Sequence, residues 1–588
     1  MSGRRPGQRR ATTRGRVRCA RDRPGRSGPL SDRGRSRLLA LAISLFVSAV
    51  LVVSAFNPAP HNGGDNAAYV TLAYSLAQHG TYTDLYDPVG LPHTKYPPVF
   101  PGLLAVLLLL GARTWTALKA VTALSTIAAV GFTFLWAERR LGPWPACAVA
   151  LLLAISSAVV YYSHWILSDP LFVAFTMAAL WALEGADEEG ARWWWIVVGV
   201  AAAGLAYFTR SAGLPLLVAL IAWLALSKRW RTLGASAVVV GIPALLWWLR
   251  GRGEGVAEYG TEFWMVDPYQ PALGTVGIGG LVSRALSNSW AYVSAHGPGG
   301  IIGGSAGSQG GVATFGVLIT AAALYGWWRS SRDRIGVAEL FLPLYAGVIL
   351  LWPEVWSGDR FALPLYPLFF LFSALTLRAI TKRVGGVGGS ALTVLVMSAV
   401  LLPAGGDWVD SVRQASACDE ATRSGGPWAC YGSGIADFAT AAEWMGEALP
   451  EGSVVLSRKP RIFYVLSGIP SRVFPFDDDP AVQLTEADRL GARYLLIDRW
   501  DGLAGRYLGG ALQRYPQAFC SVRAFGTAES PSYLIGVRPL TERGFGAPSS
   551  GDVQIDGCST DYAAADAPGV GYSSSTSMRI PLLEGLDP

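Results

Sequence analysis

The residues best suited to chemistry in this 588-residue chain sit in two short stretches. The first is His61-Asn62-Gly63-Gly64-Asp65-Asn66-Ala67-Ala68-Tyr69. After it Tyr69, Leu72, Ala73, Leu76 and Ala77 share one helical face and Gly80 supplies a stop. That pattern predicts an amphipathic helix over 66–79, suited to lying on a membrane interface. Asp65 stands at its start. It reads either as a helix cap, worth ~1 kcal/mol, or as a carboxylate that takes a proton from an acceptor hydroxyl. The two are compatible, because one oxygen can cap while the other faces a cavity. The second stretch is His93-Thr94-Lys95-Tyr96-Pro97-Pro98-Val99-Phe100-Pro101. Its prolines remove backbone donors and fix the chain direction, aiming the apolar run 99–111 back into a membrane. Lys95 then lies at the height of a lipid phosphate. Its plain alternative is a lysine that only snorkels.

The elements that must hold these residues follow from composition. Hydrophobic residues make up 51% of the chain and charged ones 15%, with mean hydropathy +0.33. A soluble domain carries roughly 25% charged residues, so a polytopic membrane protein with some soluble mass is expected. The net charge of +6 is local, because residues 1–37 hold 13 Arg against Asp22 and Asp32. That segment is Gly/Pro/Ser-rich, which predicts a disordered cytoplasmic tail and gives no basis for nucleic-acid binding. Apolar spans are expected near 38–56, 114–137, 143–162, 168–184, 193–209, 213–227, 233–250, 311–328, 337–352, 361–379 and 389–404. The run 99–111 is too short to cross upright. Glu138-Arg139-Arg140, Lys228 to Arg231, Arg329 to Arg334 and Thr381-Lys382-Arg383 should all be cytoplasmic. From a cytoplasmic N-terminus they all fall inside only if 99–111 does not cross. The fold class is therefore an α-helical membrane protein with about 11 crossings and one re-entrant or half-buried helix. Everything after 404 then lies outside, together with all five histidines and Lys95.

Composition changes again after Pro403. Helices over Asp437–Leu449 and Ala481–Leu490 are expected. Strands are expected over Val454–Ser457, Arg472–Phe476, Tyr494–Ile497, Ser521–Phe525 and Ser532–Val537, the last two as a hairpin. This gives a small extracytoplasmic α/β domain over 405–540 and a flexible tail over 541–588. No phosphate-binding glycine loop follows any strand, so a nucleotide site has no support. Cys418, Cys430, Cys520 and Cys558 lie on the oxidising side. Cys418–Cys430 would close a short loop, and free thiols are the equal alternative. Neither cysteine nor histidine spacing suggests zinc.

Topology, Gly63-Gly64-Asp65-Asn66 and Lys95-Tyr96-Pro97-Pro98 together resemble the GT-C superfamily of polyprenyl-phosphate-sugar-dependent glycosyltransferases. The nearest branch is that of protein O-mannosyltransferases and the lipid A aminoarabinose transferase. Two further stretches resemble it: Tyr161-Tyr162-Ser163-His164-Trp165-Ile166-Leu167-Ser168-Asp169-Pro170, and Arg360-Phe361-Ala362-Leu363-Pro364-Leu365-Tyr366-Pro367. The resemblance covers about residues 38–404, the expected transferase domain with 57–98 as its first outer loop. It implies that Asp65 is the catalytic base and that Asp169 lines the same cavity. It also implies that Lys95 and Arg360 hold the donor phosphate, with Arg210 a further candidate. Ser168-Asp169-Pro170 also reads as a cap followed by proline in the first helical turn. Many relatives carry a second acid after the loop aspartate. Asn66 stands there in this chain, so a metal-independent reaction without cofactor is expected.

The implied partners are a polyprenyl-phosphate sugar donor, membrane lipids, and a cell-envelope glycan, lipid or protein acceptor, at the cell membrane. One base implies inversion at the anomeric carbon. A transporter or flippase of lipid-linked glycans would instead place paired charges mid-span and repeat internally. Neither pattern is present. A non-catalytic scaffold would tolerate replacement of Asp65, Lys95 and Arg360.

Overall fold

The computed structural model describes residues 32–188, 190–250, 259–304, 309–527, 531–543 and 555–562. Six of its helices are long and apolar enough to cross a membrane: Asp32–Ser54, Trp115–Leu141, Trp230–Arg250, Gly310–Asp333, Asp359–Val384 and Gly386–Gly425. Shorter apolar helices pack among them, namely Val99–Leu109, Pro143–Ile155, Trp194–Thr209, Ser211–Leu226 and Val337–Leu351. Helix Asp169–Gly185 is apolar on nearly every face and is correspondingly buried, against Trp115–Leu141 and Trp194–Thr209.

The basic loops gather at one end of this bundle. Arg140 donates to Glu184 at 2.8 Å and to Glu339 at 2.6 Å, while Arg229 and Arg334 both reach Asp187. Asp169 opens the helix that Glu184 nearly closes, so the segment carrying Asp169 lies at the opposite end, about 22 Å away at 1.5 Å per residue.

Several expected boundaries move. The span 143–162 is broken at Ser156, whose ψ of 131° leaves the helical region, and a short helix Ser157–Tyr162 turns away. The helix beginning at Gly386 passes through Pro403 and the expected domain boundary at 404, ending at Gly426 with φ 90°. Proline removes one donor from a helix that has 40 residues to sustain it. The composition change therefore marks new surroundings and not the end of an element. The expected loop 251–310 contains helices Tyr259–Trp264, Ile278–Ala291 and Gly297–Ile302. Buried Arg284 and Asn288 fix them by donating to the carbonyls of Phe263, Met265, Leu350 and Trp352. At the N-terminus the first helix already begins at Asp32, inside the expected tail, and residues 1–31 lie outside the described residues.

The C-terminal region forms a five-stranded sheet of β1 (Val455–Leu456), β2 (Ser471–Arg472), β3 (Tyr494–Ile497), β4 (Phe519–Phe525) and β5 (Ser532–Val537). Its order is β2-β1-β3-β5-β4, with β1 parallel to both β2 and β3 and with β5 antiparallel to β3 and β4. Part of the expected flexible tail is tied to it. Ser521 N–H donates to Asp556 O, Cys558 N–H donates to Ser521 O, and Cys558 is bonded to Cys520. The remainder, 544–554 and 563–588, lies outside the described residues. Cys418–Cys430 is also a disulfide. One apolar core joins the C-terminal region to the helices around Asp65: Phe438, Met445, Phe463 and Tyr494 are buried in the same cluster as Tyr69, Phe100 and Trp115.

Candidate functional site

Gly63 precedes the helix Gly64–Tyr74 that carries Asp65. A Cβ on Gly63 would lie 2.5 Å from the Asn66 amide and 3.2 Å from the Trp165 ring, so the close approach requires glycine. Asn66 is buried and accepts the Ile166 N–H at 2.8 Å, tying the helix of Asp65 to the segment that ends in Asp169. A π-helical turn, Ser75–His79, replaces the last turn of the expected interfacial helix, and Gly80 ends it with φ 62°.

Asp65 does not act as the cap. Its Oδ2 accepts Arg360 Nη1 at 2.7 Å and its Oδ1 accepts the Tyr96 hydroxyl at 2.6 Å. Arg360 Nε and Nη2 donate to Asp169 at 3.0 and 2.9 Å, and Arg210 pairs with the same carboxylate. The Ser168 side chain makes no cap and bonds the Tyr69 hydroxyl at 2.7 Å instead. Four residues separated by up to 295 positions thus form one alternating chain: Asp65, Arg360, Asp169, Arg210. Asp169 is 5% exposed, whereas Asp65 keeps 30% of its side chain open to a cavity of about 1070 Å³. Asp65 is therefore the carboxylate that a substrate can reach.

Lys95 lines the same cavity but stands apart from this chain. Its ammonium lies 2.8 Å from both Glu262 oxygens and 5.0 Å from the Tyr259 ring centroid. Glu262 was not legible in the sequence because it lies in the expected loop. Arg461 is a second unanticipated neighbour. It donates to the Tyr96 oxygen at 3.1 Å and lies 4.0 Å from Asp65. Its only sequence signal is the basic run Arg458-Lys459-Pro460-Arg461 between a strand and a helix.

These partners set the proton affinities. Burial alone would raise the Asp65 carboxyl, but Arg360, the Tyr96 hydroxyl and Arg461 together hold it well below the usual carboxylate range. Burial and the charge on Asp65 push the Tyr96 phenol well above its ordinary value, so Tyr96 is a donor. Tyr96 is positioned in turn by His93, whose Nε2 accepts the Tyr96 N–H at 2.7 Å. That leaves the His93 proton on Nδ1, donated to Asp84 at 2.8 Å, while burial holds the ring neutral. No group of three or more His, Cys, Asp or Glu is placed to hold a metal among the described residues.

A carboxylate beside two guanidinium groups in a cavity rimmed by aromatic rings can accept a proton while an anionic leaving group departs. The family model for dolichyl-phosphate-mannose-protein mannosyltransferases matches residues 95–248. The resemblance read from the sequence, to the GT-C superfamily near its protein mannosyltransferase and ArnT branch, agrees with that match and with the folds of two solved structures. The archaeal oligosaccharyltransferase AglB from Archaeoglobus fulgidus, solved with an inhibitory peptide and a dolichol-phosphate, aligns with TM-score 0.54 and 15% identity. That alignment covers 87% of this chain and 76% of AglB. ArnT from Cupriavidus metallidurans in the apo state aligns with TM-score 0.50 and 15% identity, over 86% of this chain and 99% of that one. Comparison with curated protein sequences gives no match.

Proposed function

We propose that the chain is a glycosyltransferase of the cell membrane that moves a sugar from a polyprenyl-phosphate donor to an acceptor hydroxyl on the outer face. Asp65 accepts the hydroxyl proton as the acceptor oxygen attacks the anomeric carbon. The bond from that carbon to the phosphate oxygen breaks on the opposite side, so configuration inverts. The leaving polyprenyl phosphate gains one negative charge, which Arg360 and Arg210 neutralise. Donor phosphate also competes with Asp65 for Arg360. Binding of donor thereby loosens the pair that depresses Asp65 and restores its basicity. Asp169 anchors the two arginines and does not meet substrate. Lys95, already held by Glu262, serves the outer part of the cavity, where phosphate or acceptor enters.

The observation that carries this reading is the placement of Asp65: open to the cavity, hydrogen-bonded to a phenol, and paired with the arginine assigned to the phosphate. The collection of the basic loops at the other end of the bundle supports a cytoplasmic N-terminus, an outward-facing site and about 11 crossings, with Val99–Leu109 half-buried. The test is donor consumption by membranes holding wild type or Asp65→Asn, across a panel of undecaprenyl-phosphate hexoses and pentoses. One donor turned over by wild type and spared by a folded Asp65→Asn supports the transferase and names the sugar. Equal turnover by both removes Asp65 as base.

A further inference from the structure

The C-terminal α/β region is wedged against the loop that carries Asp65. Helix Pro460–Ser467 packs on helix Gly64–Tyr74, and the two share one apolar core. The contact is pinned a second time at the strand edge. Ser471 N–H donates to the Tyr86 carbonyl at 2.7 Å, and Arg472 makes a buried fork on Asp87, with Nη2 at 2.7 and 2.6 Å from its two oxygens. Between these anchors the first turn of the helix projects Arg461 into the cavity wall. Its guanidinium lies 5.5 Å from the centroids of both the Tyr86 and Tyr96 rings, donates to the Tyr96 oxygen, and stops 4.0 Å short of Asp65.

We propose that Arg461 is a positioning residue for the catalytic carboxylate: the C-terminal region orients Asp65 through Tyr96 and sets its basicity once donor phosphate has engaged Arg360. The proposal rests on the transferase reading above and extends the site to the C-terminal α/β region. Its physical basis is directional. A phenol oxygen that accepts from Arg461 has its own proton left to donate, and Asp65 Oδ1 lies 2.6 Å away in that role. Tyr96 is thereby fixed as donor, and one carboxylate oxygen is held while the other turns to Arg360. Facing Asp65 besides Arg461 are Arg360 from the membrane helices, Tyr69 from its own helix, Tyr96 from the loop before Val99 and Tyr259 from the helix beyond 250, with Asp169 and Arg210 one step further along the ion-pair chain. When phosphate draws Arg360 to itself, Arg461 is the cation that remains for Asp65. A cation at this distance shifts a carboxylate by about one pH unit or more.

The experiment follows protonation of Asp65 directly, through its carboxyl infrared band, in purified full-length protein saturated with undecaprenyl phosphate. The band is assigned by its loss in Asp65→Asn. The midpoint should rise by about one unit in Arg461→Met and return towards wild type in Arg461→Lys, which keeps the charge. The acid limb of kcat should move with it for whichever panel donor is consumed. A midpoint unchanged in a folded Arg461→Met overturns the proposal. Should that variant not fold, Tyr96→Phe cuts the relay from the other side and must raise the midpoint equally; an unchanged value again overturns it. Should Asp65→Asn turn over donor at the wild-type rate while the Arg461→Met midpoint still rises, Arg461 keeps its role and the assignment of Asp65 as base fails.

Discussion

Replacing Asp169 by Asn separates holding the arginines from meeting the substrate. Asp169 is nearly buried and neutralises two guanidinium groups, receiving Arg360 at 3.0 and 2.9 Å and Arg210 as well. The amide keeps the shape and removes the charge, leaving Arg360 paired with Asp65 and Arg210 without the carboxylate it pairs with. Breaking a buried pair by removing one partner costs about 3–5 kcal/mol. The lower end applies here because Arg360 retains Asp65 at 2.7 Å. The first expected result is a fall of several degrees in the apparent Tm of the detergent-solubilised protein. Donor binding suffers next: with Arg360 unanchored, KM for donor rises about tenfold, equivalent to ~1.4 kcal/mol, while kcat falls less. Removing a cation as well, in Asp169→Asn combined with Arg210→Met, should recover part of the lost Tm, since the remaining charges balance again. An Asp169→Asn protein with wild-type Tm and wild-type KM would refute the reasoning, because Arg360 would then not depend on Asp169. Failure of the double variant to recover any Tm would mean that shape, and not charge, sets the cost.

Three further outcomes follow. Asp498 is buried, its Oδ2 lacks a hydrogen-bond partner among the described residues, and burial pushes its carboxyl up to about 6. The folded state then binds more protons than the unfolded one between pH 4 and 6, so stability is lost as pH rises through that window. Asp498→Asn should accordingly raise stability at pH 7.5 by at most roughly 2–3 kcal/mol, read as a higher Tm, and leave Tm nearly unchanged at pH 4. The Cys520–Cys558 bond closes a 38-residue separation, and Cys558→Ser should destabilise the C-terminal region by about 4 kcal/mol on a chain-entropy basis, read by denaturant titration. Glu262→Gln frees Lys95 and should tighten binding of undecaprenyl phosphate several-fold, whereas Lys95→Gln should weaken it; no change in either would remove Lys95 from the phosphate path.

Much of this architecture is written locally. Strands Tyr494–Ile497 and Ser532–Val537 fall where alternation and turn residues put them, and the proline-aimed element 99–111 is a helix over Val99–Leu109. Asp65, Asp169 and Arg360 are marked by local motifs and Arg210 only by its place at the end of a span, and the fold joins all four in one chain of ion pairs. What periodicity does not encode is pairing over hundreds of residues. Lys95 with Glu262 and Arg461 with Tyr96 join segments 167 and 365 positions apart, and nothing in either neighbourhood specifies the partner. The helix through Pro403 was obscured for a different reason. Its first half is apolar and its second polar, so a change in environment along one continuous helix reads as a boundary between domains.

The central claim is that Asp65 removes the acceptor proton while sugar leaves a polyprenyl phosphate. The most direct measurement is single-turnover transfer from a panel donor by wild type and Asp65→Asn, with the thermal melt of each recorded alongside. The account predicts transfer by wild type, a loss of at least about a hundredfold in Asp65→Asn, and a variant that still folds. Transfer by Asp65→Asn at the wild-type rate would contradict it and return Asp65 to a structural place in the outer loop.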